Sequence, residues 1–281
     1  MWRAFFRGLS AAVVGGLVAC GGERVVVEQC VVGTGSEGGL GVRVERTGWI
    51  GPGRGVSGRA LVAEVDGRVV GCGRTGEDGS AVLELGEVRE GVHRVTIRGP
   101  GSGGVWKVLI AAWGTPVIVC DVDGTIYLRG GRGLLEGPGT GLEHAWPDAA
   151  AVLRRLAERF GVVYLTAREE AFRAETAAFL EAGGFPAGPL VMWDAWRDPI
   201  SRVGSKTKKL LGLSGDWPWV MWGIGDRWSD VESYEACGVA GIVLDPRADW
   251  QRDRARGGRG WVARNWKEVE RIVAGEGGTR D

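Results

Sequence analysis

Four short clusters in the second half of the chain combine residue types suited to binding and attacking an anion. The continuous apolar run Val117-Ile118-Val119-Cys120 leads into Asp121-Val122-Asp123-Gly124-Thr125-Ile126. Two carboxylates two residues apart, just past a buried strand, are costly unless a cation neutralises them. Mg²⁺, a hard ion that takes oxygen ligands, is the natural partner. Further along, Tyr164-Leu165-Thr166-Ala167-Arg168 ends an apolar run with a hydroxyl and a guanidinium. Lys206 follows, and Gly225-Asp226-Arg227-Trp228-Ser229-Asp230 adds two more carboxylates. Taken singly, each cluster reads as a turn, a strand-end cap or a solvated face. Their ordered co-occurrence gives them weight.

The elements that must hold these clusters alternate in type. Apolar patterning predicts strands over 117–120, 162–165, 190–193, 219–224 and 241–244, and helices over 149–160, 169–182 and 229–237. Strands alternating with helices specify an α/β fold, a doubly wound parallel sheet. Ligands of such sheets bind beyond the carboxyl ends of the strands, where the acidic residues fall.

This set of motifs, in this order, resembles the haloacid dehalogenase superfamily of phosphohydrolases, and the resemblance runs through roughly Pro116–Ile272. It implies that Asp121 is a nucleophile forming an aspartyl-phosphate and that Asp123 acts as general acid and then base. It implies that Thr166 and Lys206 bind phosphoryl oxygens, with Gly124, Thr125, Ala167 and Arg168 lining the substrate site. Asp121, the backbone carbonyl of Asp123, Asp226 and Asp230 would form the Mg²⁺ site. Lys208 and Lys209 compete with Lys206, which best fits the run Asp198-Pro199…Ser205-Lys206-Thr207.

A closer resemblance narrows the substrate. Trp146-Pro147-Asp148, Tyr164–Arg168, Gly184-Phe185-Pro186-Ala187-Gly188-Pro189-Leu190 and Asp198-Pro199 look like the lipin-type group. That group includes lipin phosphatidate phosphatases and the C-terminal domain of membrane-associated phosphatidylinositol-transfer proteins. A lipid phosphomonoester, phosphatidate above all, is the implied substrate. The glycine-rich stretch Tyr127–Ala145 is long enough for a flap but not for a large cap domain, so a bulky substrate can enter. Trp193, Trp196, Trp217, Trp219, Trp222 and Trp228 read either as an interfacial rim or as packing.

The first half of the chain is different. Val25–Val27, Arg59–Val65, Arg68–Gly71, Ala81–Leu85 and His93–Ile97 read as short strands, with Asp66-Gly67 as a two-residue hairpin turn. These point to a small β-sandwich over residues 20–113, preceding an α/β domain over 114–274 and a tail over 275–281. Gly33–Gly58 reads as a long loop. The segment Gly91–Gly99 is similar to the last strand of immunoglobulin-like bacterial surface modules, which identifies no partner for this domain.

Residues 1–19 carry Arg3 and Arg7 ahead of a short apolar run, the order of an export signal. Leu17-Val18-Ala19-Cys20 resembles the lipobox of bacterial lipoproteins, in which Cys20 becomes the lipidated first residue. The expectation is an exported chain, anchored through Cys20 and facing the periplasm, with Gly21 leaning towards the outer membrane. Export places Cys30 and Cys72, both in the first domain, where a disulfide would persist. Cys120 and Cys237 sit in apolar elements and read as buried thiols.

With 35 Lys and Arg against 35 Asp and Glu, the chain lacks the basic excess of a nucleic-acid binder. Three function classes stay open beside the lipid phosphatase. They are a phosphatase for soluble nucleotides or sugar phosphates, a phosphatidate-binding module without turnover, and a polynucleotide end-processing phosphatase. Zero net charge and export argue against the last.

Overall fold

The computed structural model describes residues 23–27, 31–32, 37–46, 53–99, 105–112, 116–128, 144–169, 172–193, 206–210, 220–246 and 260–275. The export segment with Cys20, and also Cys30, Trp196, Trp217 and Trp219, lie outside them. Among the described residues no helix is long and apolar enough to cross a membrane.

The described residues of the first half form nine strands: β1 (Glu23–Val27), β2 (Val31–Val32), β3 (Glu37–Arg46), β4 (Arg54–Gly55), β5 (Ala60–Val65), β6 (Arg68–Arg74), β7 (Ser80–Glu87), β8 (Gly91–Arg98) and β9 (Val105–Ala112). One sheet joins β1, β4 and β7 to β3; the other runs β2-β9-β8-β5-β6. Leu40, Val42, Val44, Leu61, Leu83, Leu85, Val95 and Ile97 are buried together between them. Period-two alternation puts every second side chain of β3, β7 and β8 into this core. The Asp66-Gly67 turn forms as expected, with φ of 50° and 85° at its two residues.

Two expectations for this half need correction. Glu37–Arg46 is a ten-residue strand rather than part of a loop. Its glycines masked the alternation of Leu40, Val42 and Val44, and Gly39 is where β3 passes Val82 too closely for a side chain. Nor is Gly91–Arg98 the last strand, because β9 follows and pairs with it along its whole length. The run Val105-Trp106-Lys107-Val108-Leu109-Ile110 has no clear period, so its sequence did not declare a strand.

The second half contains β10 (Val117–Cys120), α1 (Ala149–Leu156), β11 (Gly161–Glu169), α2 (Arg173–Ala182), β12 (Leu190–Trp193), β13 (Val220–Gly225), α3 (Trp228–Glu235), β14 (Ala240–Leu244), β15 (Trp261–Ala263) and α4 (Trp266–Val273). The six strands form one parallel sheet in the order β12-β11-β10-β13-β14-β15. β15 and α4 extend the expected pattern, and β11 runs to Glu169, so that α2 starts at Arg173 rather than Glu169.

The apolar run of β10 serves both faces of this sheet, which is why it is continuous rather than alternating. Ile118 and Cys120 pack with Val152, Leu153 and Leu156 of α1, Phe179 of α2 and Trp266 and Val269 of α4. Val117 and Val119 face the other way, onto Val163, Leu165, Leu210, Tyr234 and Val239, with Val92 of β8 against the same cluster. Gly223 lets Tyr234 lie flat on β13, since a Cβ there would come within 2.3 Å of the ring.

The chain leaves β10 towards β11 and β12, then returns to lay β13 on the opposite side. The switch point of the sheet therefore lies between β10 and β13, where a crevice opens at the strand ends. Cys120 is paired with Ile224 across that boundary. Asp121 and Asp226 leave the sheet there side by side.

Candidate functional site

Asp121 sits one residue beyond β10, its backbone N–H donating to Ile224 O at 2.8 Å. Its side chain is buried and held on both oxygens. Lys206 Nζ donates to Oδ1 at 2.7 Å, and Thr125 Oγ1 donates to Oδ2 at 3.2 Å. The same ammonium donates to Asp230 Oδ1 at 2.6 Å, while Asp230 Oδ2 accepts from the Arg227 N–H at 3.2 Å. Lys206 opens the helical residues 206–210 and is buried; Lys208 is exposed and Lys209 half-buried. The lysine that joins the two acidic motifs is thus Lys206.

Asp123 faces the end of β11. Arg168 Nε donates to its Oδ2 and Arg168 Nη2 to its Oδ1, both at 2.8 Å, and Thr166 Oγ1 approaches Oδ2 at 3.3 Å. Thr166 and Arg168 are both buried, and Ala167 between them is half-buried. The alternation of β11 puts Thr166 and Arg168 on one side.

The loop between the two aspartates and β11 is pinned by backbone contacts that the motifs did not announce. Gly124 adopts a φ of +85°, and a Cβ there would lie 2.1 Å from Asp226 Oδ2. Only glycine allows the two motifs to meet this closely. Trp146 Nε1 donates to Gly124 O at 2.8 Å, and Trp266 Nε1 donates to Thr125 O at 3.1 Å. Tyr127 lies under the Arg168 guanidinium at 4.9 Å, and Thr176 accepts from Arg168 Nη1 at 3.3 Å. Sequence reasoning assigned no role to Trp266, Tyr127 or Thr176. The one available signal was the count of 14 Trp against six Phe and three Tyr, since a buried indole N–H needs an acceptor.

Asp121, Asp226 and Asp230 each offer an oxygen within 4.8 Å of the others. Burial drives the Asp121 carboxyl up to about 7; Lys206 opposes this, and the charges of Asp230 and Asp226 add to it. For Lys206 burial pulls down, but Asp121 and Asp230 outweigh it and hold the ammonium above its ordinary value. Among the described residues Lys206 is shared by Asp121 and Asp230, while Arg227 Nε lies 3.8 Å from Asp226 Oδ2. The donor set, three carboxylates offering only oxygen, fits a hard divalent cation such as Mg²⁺.

Of the expected site residues, Asp121, Thr125, Lys206, Asp226 and Asp230 gather at the β10–β13 boundary, with Gly124 against Asp226. Asp123, Thr166 and Arg168 form an adjoining group towards β11. Cys72 is exposed on β6, Cys120 is buried and Cys237 is half-buried. The Cys30–Cys72 pairing falls outside the described residues. Trp193, Trp222 and Trp228 are each half-buried, and Trp222 meets the ring of Trp261 at 6.4 Å.

No protein-family model and no curated protein sequence matches the chain. Among solved structures it is similar to a D,D-heptose 1,7-bisphosphate phosphatase from B. bronchiseptica complexed with magnesium and phosphate. That likeness has a TM-score of 0.44 at 15% identity, covering 58% of this chain and 100% of the other. It is also similar to a HAD-superfamily hydrolase from Ehrlichia chaffeensis, with a TM-score of 0.40 at 11% identity, over 59% of this chain and 99% of that one. A third, from a Pnkp1/Rnl/Hen1 complex, has a TM-score of 0.39 at 21% identity; the match takes in 48% of this chain and about half of the other, 52%. At such identities, function has to be argued from the site itself.

Proposed function

We propose that the chain is a Mg²⁺-dependent phosphomonoester hydrolase of the haloacid dehalogenase type, working through an aspartyl-phosphate on Asp121. The observation that carries this reading is the buried Lys206 ammonium bonded at once to Asp121 and Asp230, at 2.7 and 2.6 Å. A nucleophile, a cation for phosphoryl oxygens and a second acid are held together at the switch point of the sheet.

In the first half-reaction an Asp121 oxygen attacks phosphorus, and the P–O bond to the leaving group breaks. Asp123 gives that oxygen its proton, so an alcohol departs. In the second, Asp123 takes a proton from water as the water attacks the aspartyl-phosphate, freeing inorganic phosphate and the Asp121 carboxylate. Thr166 and Lys206 bind the phosphoryl oxygens, where charge concentrates in the transition state. Asp121, Asp226, Asp230 and the Asp123 carbonyl would hold Mg²⁺, which offsets the repulsion between an anionic nucleophile and an anionic ester.

The substrate we assign is a lipid phosphomonoester, phosphatidate first. Its support is the lipin-type resemblance together with the lipobox-like Cys20, which would keep the site at a periplasmic membrane surface. Phosphate release from phosphatidate in mixed micelles, run beside a panel of soluble phosphomonoesters, tests this. Preferential release from phosphatidate, lost with chelator, upholds it. Preference for soluble esters keeps the chemistry and overturns the substrate. Tight phosphatidate binding with no turnover of any ester overturns the enzyme reading in favour of a binding module.

A further inference from the structure

We infer that Arg168 is a positioning residue, which sets Asp123 in place for proton delivery, rather than a ligand of the phosphoryl group. The inference rests on the phosphatase reading of Asp121 and Asp123. Arg168 meets the Asp123 carboxylate edge on, with Nε and Nη2 each 2.8 Å from a different oxygen. Such a planar two-point contact fixes the plane of a carboxylate as well as its location, which a lysine cannot do.

The guanidinium is itself fixed. Nη1 donates to Thr176 Oγ1 at 3.3 Å, and that hydroxyl donates to Phe172 O at 2.8 Å. The Tyr127 ring lies against it at 4.9 Å, and the Arg168 N–H donates to Thr166 Oγ1 at 3.1 Å. Each of its three nitrogens already donates within the protein, and its side chain is 7% exposed against 16% for Asp123. β11, α2 and the loop after β10 thus converge on one arginine, whose contact with the crevice is through Asp123. An acid that must reach a leaving oxygen gains rate from being held in that direction, and little from charge alone.

Leaving-group dependence separates the two roles. Help from an acid matters most when the departing oxygen is a basic alkoxide and least when it is p-nitrophenolate. On this account Arg168→Lys lowers the first-turnover rate of leaving-group release by about 10²-fold on an alkyl phosphomonoester. On p-nitrophenyl phosphate it lowers that first-turnover rate by less than about fivefold, while kcat falls on both esters because Asp123 also activates the water, and inhibition by inorganic phosphate stays near wild type. Thr176→Val removes one anchor of Arg168 and leaves both charges in place. It should give the same pattern at about fivefold, which keeps the test open if Arg168→Lys folds poorly. Equal first-turnover losses on the two esters, or weaker phosphate inhibition, would make Arg168 a phosphoryl ligand and overturn the inference while leaving the phosphatase reading intact. A wild-type protein that turns over neither ester would overturn both.

Discussion

Gly124 and Asp226 occupy nearly the same space: a Cβ on Gly124 would stand 2.1 Å from Asp226 Oδ2 and 2.5 Å from its Cγ. The first and last acidic motifs therefore meet across a contact that any side chain would break. Gly124→Ala should push Asp226 out of the cluster and also strain a backbone held at φ +85°. The expected cost is about 1–3 kcal/mol of stability. The telling loss is in the rise of Tm on adding Mg²⁺, which should shrink or vanish in the variant. A Tm rise equal to wild type would show that Asp226 does not hold the cation.

Lys206 neutralises Asp121 and Asp230 together, and all three side chains are buried. Lys206→Met would leave two buried carboxylates without their cation, a change worth roughly 3–5 kcal/mol. Urea unfolding in chelator checks the loss, and added Mg²⁺ should restore part of it because the ion supplies the missing positive charge.

Proton and metal compete for Asp121. Its carboxyl is pushed up to about 7, by burial first and by Asp230 and Asp226 as well, against the pull of Lys206. A carboxyl raised in the folded state binds its proton more tightly there than in the unfolded chain. Its contribution to stability is therefore largest below the unfolded value near 4 and is lost as pH rises through about 7. Apparent Mg²⁺ affinity runs the other way. It should climb by up to about tenfold per pH unit between pH 5 and 7, then flatten. Tryptophan fluorescence titrations across pH check the slope, and a flat profile would refute it. Asp121→Asn should raise metal-free stability most at pH 8, less at pH 5, and leave it nearly unchanged at about pH 3.

Trp266 ties α4 to the active loop through its bond to Thr125 O, and its ring is fully buried. Trp266→Phe removes that donor and some volume. We expect a loss of about 1–3 kcal/mol and a fall in phosphate release greater than that caused by Asn265→Ala. The latter removes only the side-chain cap that accepts from the Glu268 N–H at 3.0 Å.

Sequence patterning reached the α/β half because its elements had one clear signal each. β10 and β12 are short apolar runs, and α1 shows helical spacing in Val152, Leu153 and Leu156. It failed at β3, where glycines interrupt the alternation, and at β9, where an apolar run has no period. In the site, Asp121 was legible because charge after an apolar strand is costly and therefore rare, and Lys206 and Asp230 because they follow in the order of the haloacid dehalogenase motifs. The Arg168–Asp123 fork was not, since sequence gives no register between the end of β11 and the loop after β10. The bonds that Trp146 and Trp266 make were invisible for a related reason. Their task is set by backbone carbonyls, which every residue carries.

The central claim is that Asp121 carries the phosphoryl group during turnover. Rapid acid quench of the Mg²⁺-loaded protein with a phosphomonoester, followed by mass spectrometry of the peptide containing Asp121, tests it directly. We predict a phosphorylated Asp121 peptide in wild type, absent with chelator and in a folded Asp121→Asn variant, whose phosphate release is also abolished. Undiminished phosphate release by Asp121→Asn, or a phosphoryl group found on another residue, would contradict the account.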